Sequence, residues 1–306
     1  MTRRTPRPSA RSVLAAAAVT SACLVAGAVT SDAAAAVPMS GRVSSAPAHA
    51  AASTTSHGHR VGRFTHPLAV TNRFTPFVPG TQFRYTGQVS GEGRHDDVFT
   101  VTDLTLTVHG IPVVVALDQD YRNGRLEEAE LAFFAQDDAG NVWNLGEYPE
   151  EYENGKFAGA PSTWVDGVRG AKGGFKLPAR PRLGQSWTEG RAPAIEFLDV
   201  SRVAKVRTTI RSGLGLHRGV LEVDETSPLD PTSGHQLKFY APRIGLVRVE
   251  ARGGDAQEFL SLVGLRHLGR RAMAGVRRIV TAMDRRGRTV SQDYRTLGRL
   301  HVRCRR

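Results

Sequence analysis

The chain has 306 residues, 40% hydrophobic and 23% charged, with two cysteines and a formal net charge of +12. That composition is globular, and the length supports a sizeable core without disulfides. The charge sits at the ends. Residues 1–31 hold four arginines and no acid, residues 266–306 hold 13 arginines against Asp284 and Asp293, and the span between is acidic by three charges. A near-neutral middle argues against nucleic acid as a partner.

Residues 1–12 are basic, 13–29 form an Ala-rich apolar run, and small residues follow to Ala35 or Ala36. This is the order of a secretory signal peptide over 1–36, and it predicts a secreted or cell-envelope protein. The alternative is an uncleaved membrane anchor, since the run is close to the shortest span, about 17 residues. Cys23 leaves with the signal, so Cys304 is the only cysteine of the mature chain and no intrachain disulfide forms. Residues 37–63 are rich in Ser, Ala and Pro and read as a disordered linker. The His57-Gly58-His59 motif inside it lacks the further ligands a metal needs.

Residues 64–263 read as an antiparallel β domain. Phe83 and Tyr85 alternate with polar neighbours, residues 98–108 run VFTVTDLTLTV, and turn pairs recur at Asn123-Gly124, Gly140-Asn141, Asn154-Gly155 and Gly253-Gly254. Many short strands between such turns predict a mainly β fold: a single antiparallel sheet or sandwich, or a curved half-barrel. No strand–helix alternation supports an α/β fold.

Asn123-Gly124 is the strongest hairpin signal. A two-residue turn there pairs Tyr121 with Leu126, Asp120 with Glu127, Val114 with Phe133 and Val113 with Phe134. Both faces of the stem are apolar and need cover. Asp118, Asp120, Glu127 and Glu128 then lie toward the tip. The bland reading is a solvated tip balanced by Arg122 and Arg125. The sharper one is a hard cation such as calcium, or an acid–base pair of a secreted hydrolase. Residues 158–181, rich in Gly and Pro but carrying Trp164, Phe175 and Leu177, read as an ordered wrap over one end of the sheet.

Four blocks in order carry a resemblance. Phe134-Ala135-Gln136-Asp137 with Gly140-Asn141-Val142-Trp143 through Glu147, then Glu151-Tyr152-Glu153-Asn154-Gly155-Lys156, form the centre. Val70-Thr71-Asn72 through Pro79-Gly80 opens the match, and Lys238-Phe239-Tyr240-Ala241-Pro242 through Val247 closes it. Over residues 69–263 the chain resembles a family of secreted bacterial β proteins of actinobacterial type. Its pattern runs approximately YAQDxxGNVWYxGE, EYENGK and YYAPGVGLV. Asn144, Leu177 and Arg243 depart from it. The resemblance implies a β fold and export, and brings no activity or catalytic residue with it. The closing block also suggests the curved sheet of lipoprotein carriers, an analogy of fold alone.

Hydrolase, protease, P-loop and dithiol motifs are absent from the sequence, and no cofactor is expected. Trp143, Trp164 and Trp187 are the only tryptophans. Buried anchors are the bland reading; with Phe175 they are also the candidate platform for an apolar or saccharide ligand. In residues 264–306, Leu265, Leu268, Ala272, Met273, Val276, Ile279, Val280 and Met283 share one helical face and arginines the other. That is a basic amphipathic helix, which either packs on the sheet or, through 265–283, lies on an anionic membrane surface. The function expected is a non-catalytic binding domain, with the hydrolase and surface attachment through the helix as alternatives.

Overall fold

The computed structural model describes residues 62–255 and 257–303. The expected signal peptide, most of the expected linker with its histidine pair, Cys23 and Cys304 lie outside the described residues.

The described chain is almost entirely strand. In order it forms β1 (Thr81–Val89), β2 (Gly93–Val108), β3 (Ile111–Arg122), β4 (Arg125–Gln136), β5 (Val142–Glu153), β6 (Lys156–Gly159), β7 (Trp164–Val165) and β8 (Lys172–Leu177). Then come β9 (Ser186–Ala192), β10 (Phe197–Ser212), β11 (Gly215–Thr226), β12 (His235–Ala241), β13 (Gly245–Arg252) and β14 (Glu258–His267). Helix α1 (Arg270–Val290) and β15 (His301–Val302) end it.

Neighbouring strands pair antiparallel, and β1 pairs with both β14 and β2. Twelve strands thereby close a ring, with β6 and β7 added beside β5 and β15 beside β2. The expected open sheet, sandwich or half-barrel is corrected to a closed barrel. Closure satisfies backbone groups that an open edge would leave bare.

The barrel has two apolar cores. The inner cluster draws on all twelve ring strands, with Phe83, Phe99, Val114, Phe134, Tyr240 and Leu262 among its members. The outer one covers the other face of β2–β5 with Val113, Val115, Leu131, Phe133 and Tyr148. Helix α1 lies on that outer face, burying Met273, Val276, Val280 and Met283. This explains why the β3–β4 stem is apolar on both sides. Met273, Val276, Val280 and Met283 of the predicted stripe thus pack on the barrel, while Leu265 and Ile279 of the same stripe stay exposed.

The hairpin turn is where expected, with Asn123 at φ 50° and Gly124 at φ 78°, the left-handed pair that a two-residue turn needs. Tyr121 pairs with Leu126, but Asp120 pairs with Glu128 and Val114 with Phe134. A bulge at Glu127 adds one residue to β4, so every pair beyond it is shifted by one from the predicted register.

Residues 158–181 are not a wrap. They include β8, a ring strand between β5 and β9. Gly173 and Gly174 hide its pattern, and both are required. A Cβ on Gly173 would meet the Asn144 carbonyl, and one on Gly174 the Thr188 carbonyl.

Candidate functional site

The barrel interior is divided along its axis, and the division can be followed strand by strand. Alternate residues of a strand share a face. On β3 the inward series runs Val114, Ala116, Asp118, Asp120; on β4 it runs Phe134, Ala132, Glu130, Glu128. On β2, Phe99 gives way to Asp97 and His95, and on β14 Leu262 and Leu260 give way to Glu258. One half of the interior is therefore apolar and aromatic, the other charged.

In the charged half, His95 Nε2 lies 2.7 Å from Asp120 Oδ1 and its Nδ1 lies 2.9 Å from Glu258 Oε1. Burial opposes the imidazolium, but the hydrogen bonds and charges of Asp120 and Glu258 prevail and raise its pKa to about 10. Asp97 and Asp118 act on each other's charge. Burial, followed by the Asp118 charge, holds Asp97 well above the carboxylate range, and burial lifts Asp118 to about 6. Burial and then the charges of Asp120 and Asp118 raise Glu128 as well.

A second chain of contacts crosses the interior. Lys176 Nζ is 3.1 Å from Glu189 Oε2, Ser201 Oγ donates to Glu189 Oε1 at 2.5 Å, and Lys238 Nζ donates to Glu225 Oε1 at 2.6 Å. Burial raises Glu189 to about 7, with Glu225 adding to it. At Glu225 burial acts the same way but loses to the Lys238 and Lys176 ammoniums, so its pKa falls.

The apolar half contains a cleft of about 390 Å³, part of it open to solvent. Its walls are Phe83 and Tyr85 of β1, Phe99, Phe134, the buried Lys176 of β8, Tyr240 of β12 and Leu246 of β13. Thr75, Pro76 and Phe77 close it from the segment before β1. The Phe77 ring sits 4.9 Å from Phe134 and 5.6 Å from Phe99, centroid to centroid. That segment is fixed at its base: Thr71 N and Asn72 N donate to Gln136 Oε1, and Asn72 Nδ2 donates to the Gly140 and Pro178 carbonyls. Tyr85 donates its hydroxyl to the Leu246 carbonyl at 3.0 Å. The buried Thr75 and Tyr240 hydroxyls have no partner among the described residues. Each such orphan costs about 1–3 kcal/mol.

The residues singled out from the sequence fall in different places. Trp187 is in the inner core, Trp143 in the outer core and Trp164 in a small third cluster. Trp143 Nε1 donates to Asp137 Oδ2 and its ring meets Phe175 edge-on at 4.6 Å. Trp164 Nε1 donates to Glu147 Oε2 while its ring stacks on Phe197 at 5.4 Å. The structure brings Trp143 and Phe175 together, Phe175 also reaching the inner cluster that holds Trp187, while Trp164 lies in the third cluster. The buried Trp187 Nε1 has no hydrogen-bond partner among the described residues.

Asp118, Asp120 and Glu128 are buried, not solvated. The bulge separates them from Glu127, which instead accepts from Arg122 Nε at 3.0 Å on the outside. Among the described residues no group of three or more His, Cys, Asp or Glu is arranged to hold a metal ion. A glycosidase-type pair needs a cleft that a substrate can enter, and the side chains of Asp118, Asp120 and Glu128 are buried.

No protein-family model matches the chain, and no curated protein matches it. Two solved structures are similar to it. One is a protein described as exported, with a YmcC-like fold, from Bacteroides fragilis. It is 15% identical with a TM-score of 0.38, over 64% of this chain and 99% of the other. The second is a protein described as a lipoprotein, from Parabacteroides distasonis, 14% identical with a TM-score of 0.30 over the same shares.

Phe77, Tyr240 and Leu246 were not among the residues chosen from sequence. The signal was present. The aromatic pair Phe239-Tyr240 precedes a Pro-Arg-Ile-Gly turn, and Phe77 lies between two prolines, an arrangement that favours an extended, pre-ordered loop.

Proposed function

We propose that this is a non-catalytic binding protein of the cell exterior or envelope, and that it takes a small amphiphile into the apolar end of its barrel. The carrying observation is that Thr75 and Tyr240, two buried hydroxyls without partners, line one cleft together with the buried Lys176, its remaining walls being largely aromatic and aliphatic. An apolar body with a polar head matches that lining, and barrel mouths are common ligand sites. Burial holds the Tyr240 phenol above its ordinary pKa, so it stays a donor. Phe77 occupies the centre of the site, and a ligand larger than water displaces it. Export rests on the signal-like front of the sequence. The blocks that resemble the secreted bacterial family supply Thr75, Phe77, Phe134, Tyr240 and Leu246 to this cleft, which supports reading the resemblance and the cleft together.

The test is titration with a fluorescent fatty-acid probe. Saturable one-to-one binding is expected, tighter in Phe77→Ala and weakened in Tyr240→Phe. Absence of saturable binding by both the wild type and Phe77→Ala refutes the reading.

A further inference from the structure

Of the eleven large apolar residues exposed among the described residues, four lie on or beside one hairpin. Val206, Leu214 and Leu216 lie on the β10–β11 hairpin at 41%, 45% and 48% exposure, and Val263 beside its tip at 38%. The hairpin departs from the regular ladder. Its register slips at three places between Val203 and Thr209, and Arg207 takes φ 57°. The slips coil its outer half over the barrel exterior. There Gly213 N donates to Ser261 Oγ at 3.0 Å and Arg248 Nη1 donates to the Arg211 carbonyl at 3.1 Å. A Cβ on Gly213 would lie 2.7 Å from Val263 Cγ1, so tip and β14 are in direct contact. The aliphatic side chains are thus held outward on a pinned frame.

Their charged neighbours are mostly cationic, with Glu222 and Asp224 at the hairpin's base. Between residues 200 and 221 the sequence has Arg202, Lys205, Arg207, Arg211 and Arg218 and no acid. All five are exposed. Only Lys205 has an ion-pair partner among the described residues, Glu222 at 2.8 Å. Arg84 and Arg266, both exposed, continue the charge across β1 and β14. A protein whose middle is acidic overall has gathered unpaired arginines around its exposed aliphatic tip.

We infer that this hairpin docks the protein on an anionic lipid bilayer, the leucines entering the interface and the arginines meeting headgroup phosphates. Aliphatic side chains ringed mostly by cations fit that occupant. A protein surface would more often offer aromatic anchors and mixed charge. The site is distinct from the barrel cleft and from helix α1, most of whose apolar face packs on the barrel.

The experiment is co-sedimentation of the full chain with vesicles of phosphatidylcholine and phosphatidylglycerol, against phosphatidylcholine alone. Binding to the anionic vesicles only is expected. Arg207→Gln with Arg211→Gln weakens it roughly thirtyfold, each arginine contributing a factor of about five. Leu214→Ser with Leu216→Ser also weakens it, while Arg278→Gln with Arg285→Gln on the helix leaves most of it. Circular dichroism confirms that each variant is folded. Three results overturn the inference: no binding by the wild type, equal binding by the hairpin variants, or concentration-dependent dimers lost in the leucine variant, which would assign the patch to a second copy of the chain.

Discussion

His95 Nε2 lies 2.7 Å from Asp120 Oδ1 with both side chains buried inside the barrel. The imidazole also meets Glu258 at 2.9 Å, so one cation holds two buried carboxylates. Removing it strands both. His95→Gln is expected to cost about 3–5 kcal/mol, read as a lower urea midpoint at pH 7. An unchanged midpoint would show that the pair contributes nothing to stability.

The acids of the charged half set the pH dependence. Asp118, raised by burial to about 6, and Glu189, raised to about 7, both sit above their unfolded values near 4. A carboxyl with a raised folded pKa favours folding while protonated, so its contribution is complete below about pH 4 and is lost as pH climbs to 6–7. His95, raised to about 10, adds the same sign at higher pH: its stabilisation is complete below its unfolded value near 6.5 and lost toward 10. Stability is expected to fall steadily from pH 5 to pH 8. The Asp118 shift corresponds to about 3 kcal/mol. Asp118→Asn places a neutral group beside Asp97 and should flatten the slope between pH 5 and 7. A urea midpoint that rises with pH over that range contradicts the sign.

This polar interior shows where sequence reasoning stops. The strands, the Asn123-Gly124 turn and the apolar character of both stem faces were legible, because periodicity and turn chemistry are local. The bulge at Glu127 was not, and one inserted residue decides whether Asp120 faces Glu127 in water or Glu128 in the core. Closure was not legible either, since the pairing of β1 with β14 joins Thr81 to His267, far apart in sequence. β8 was missed because its two glycines, needed for close backbone approach, carry no pattern. The sequence offers the tryptophans both as buried anchors and as a ligand platform, and which cluster each one joins depends on topology.

Helix α1 is attached to the barrel by more than its apolar stripe. Arg286 donates to both oxygens of Glu150, at 2.9 and 2.5 Å, and Glu150 also accepts from the Tyr148 and Tyr152 hydroxyls. Glu150 is 0% exposed. Arg286→Met leaves a buried charge with two neutral donors and is expected to destabilise by roughly 3 kcal/mol. Adding Glu150→Gln should recover much of that loss. A double variant no more stable than the single would mean the arginine acts through packing.

Gly287 gives the most stringent test of the docking. It lies in the last turns of α1, where a glycine costs about 1 kcal/mol against alanine. On helix propensity alone, Gly287→Ala should stabilise. Its place argues the reverse. A Cβ there would stand 2.8 Å from the Tyr294 ring. That ring cannot retreat: it is fully buried, 4.5 Å from the Tyr148 ring, and its hydroxyl donates to Asp284 at 3.0 Å. Overpacking a fixed ring costs about 1–3 kcal/mol, which exceeds the propensity gain. Gly287→Ala should therefore lower the thermal midpoint, and Gly287→Ala with Tyr294→Leu should lower it less than Tyr294→Leu alone predicts by addition. A stabilised single variant would show that the segment after α1 yields easily and does not clamp the helix to the barrel.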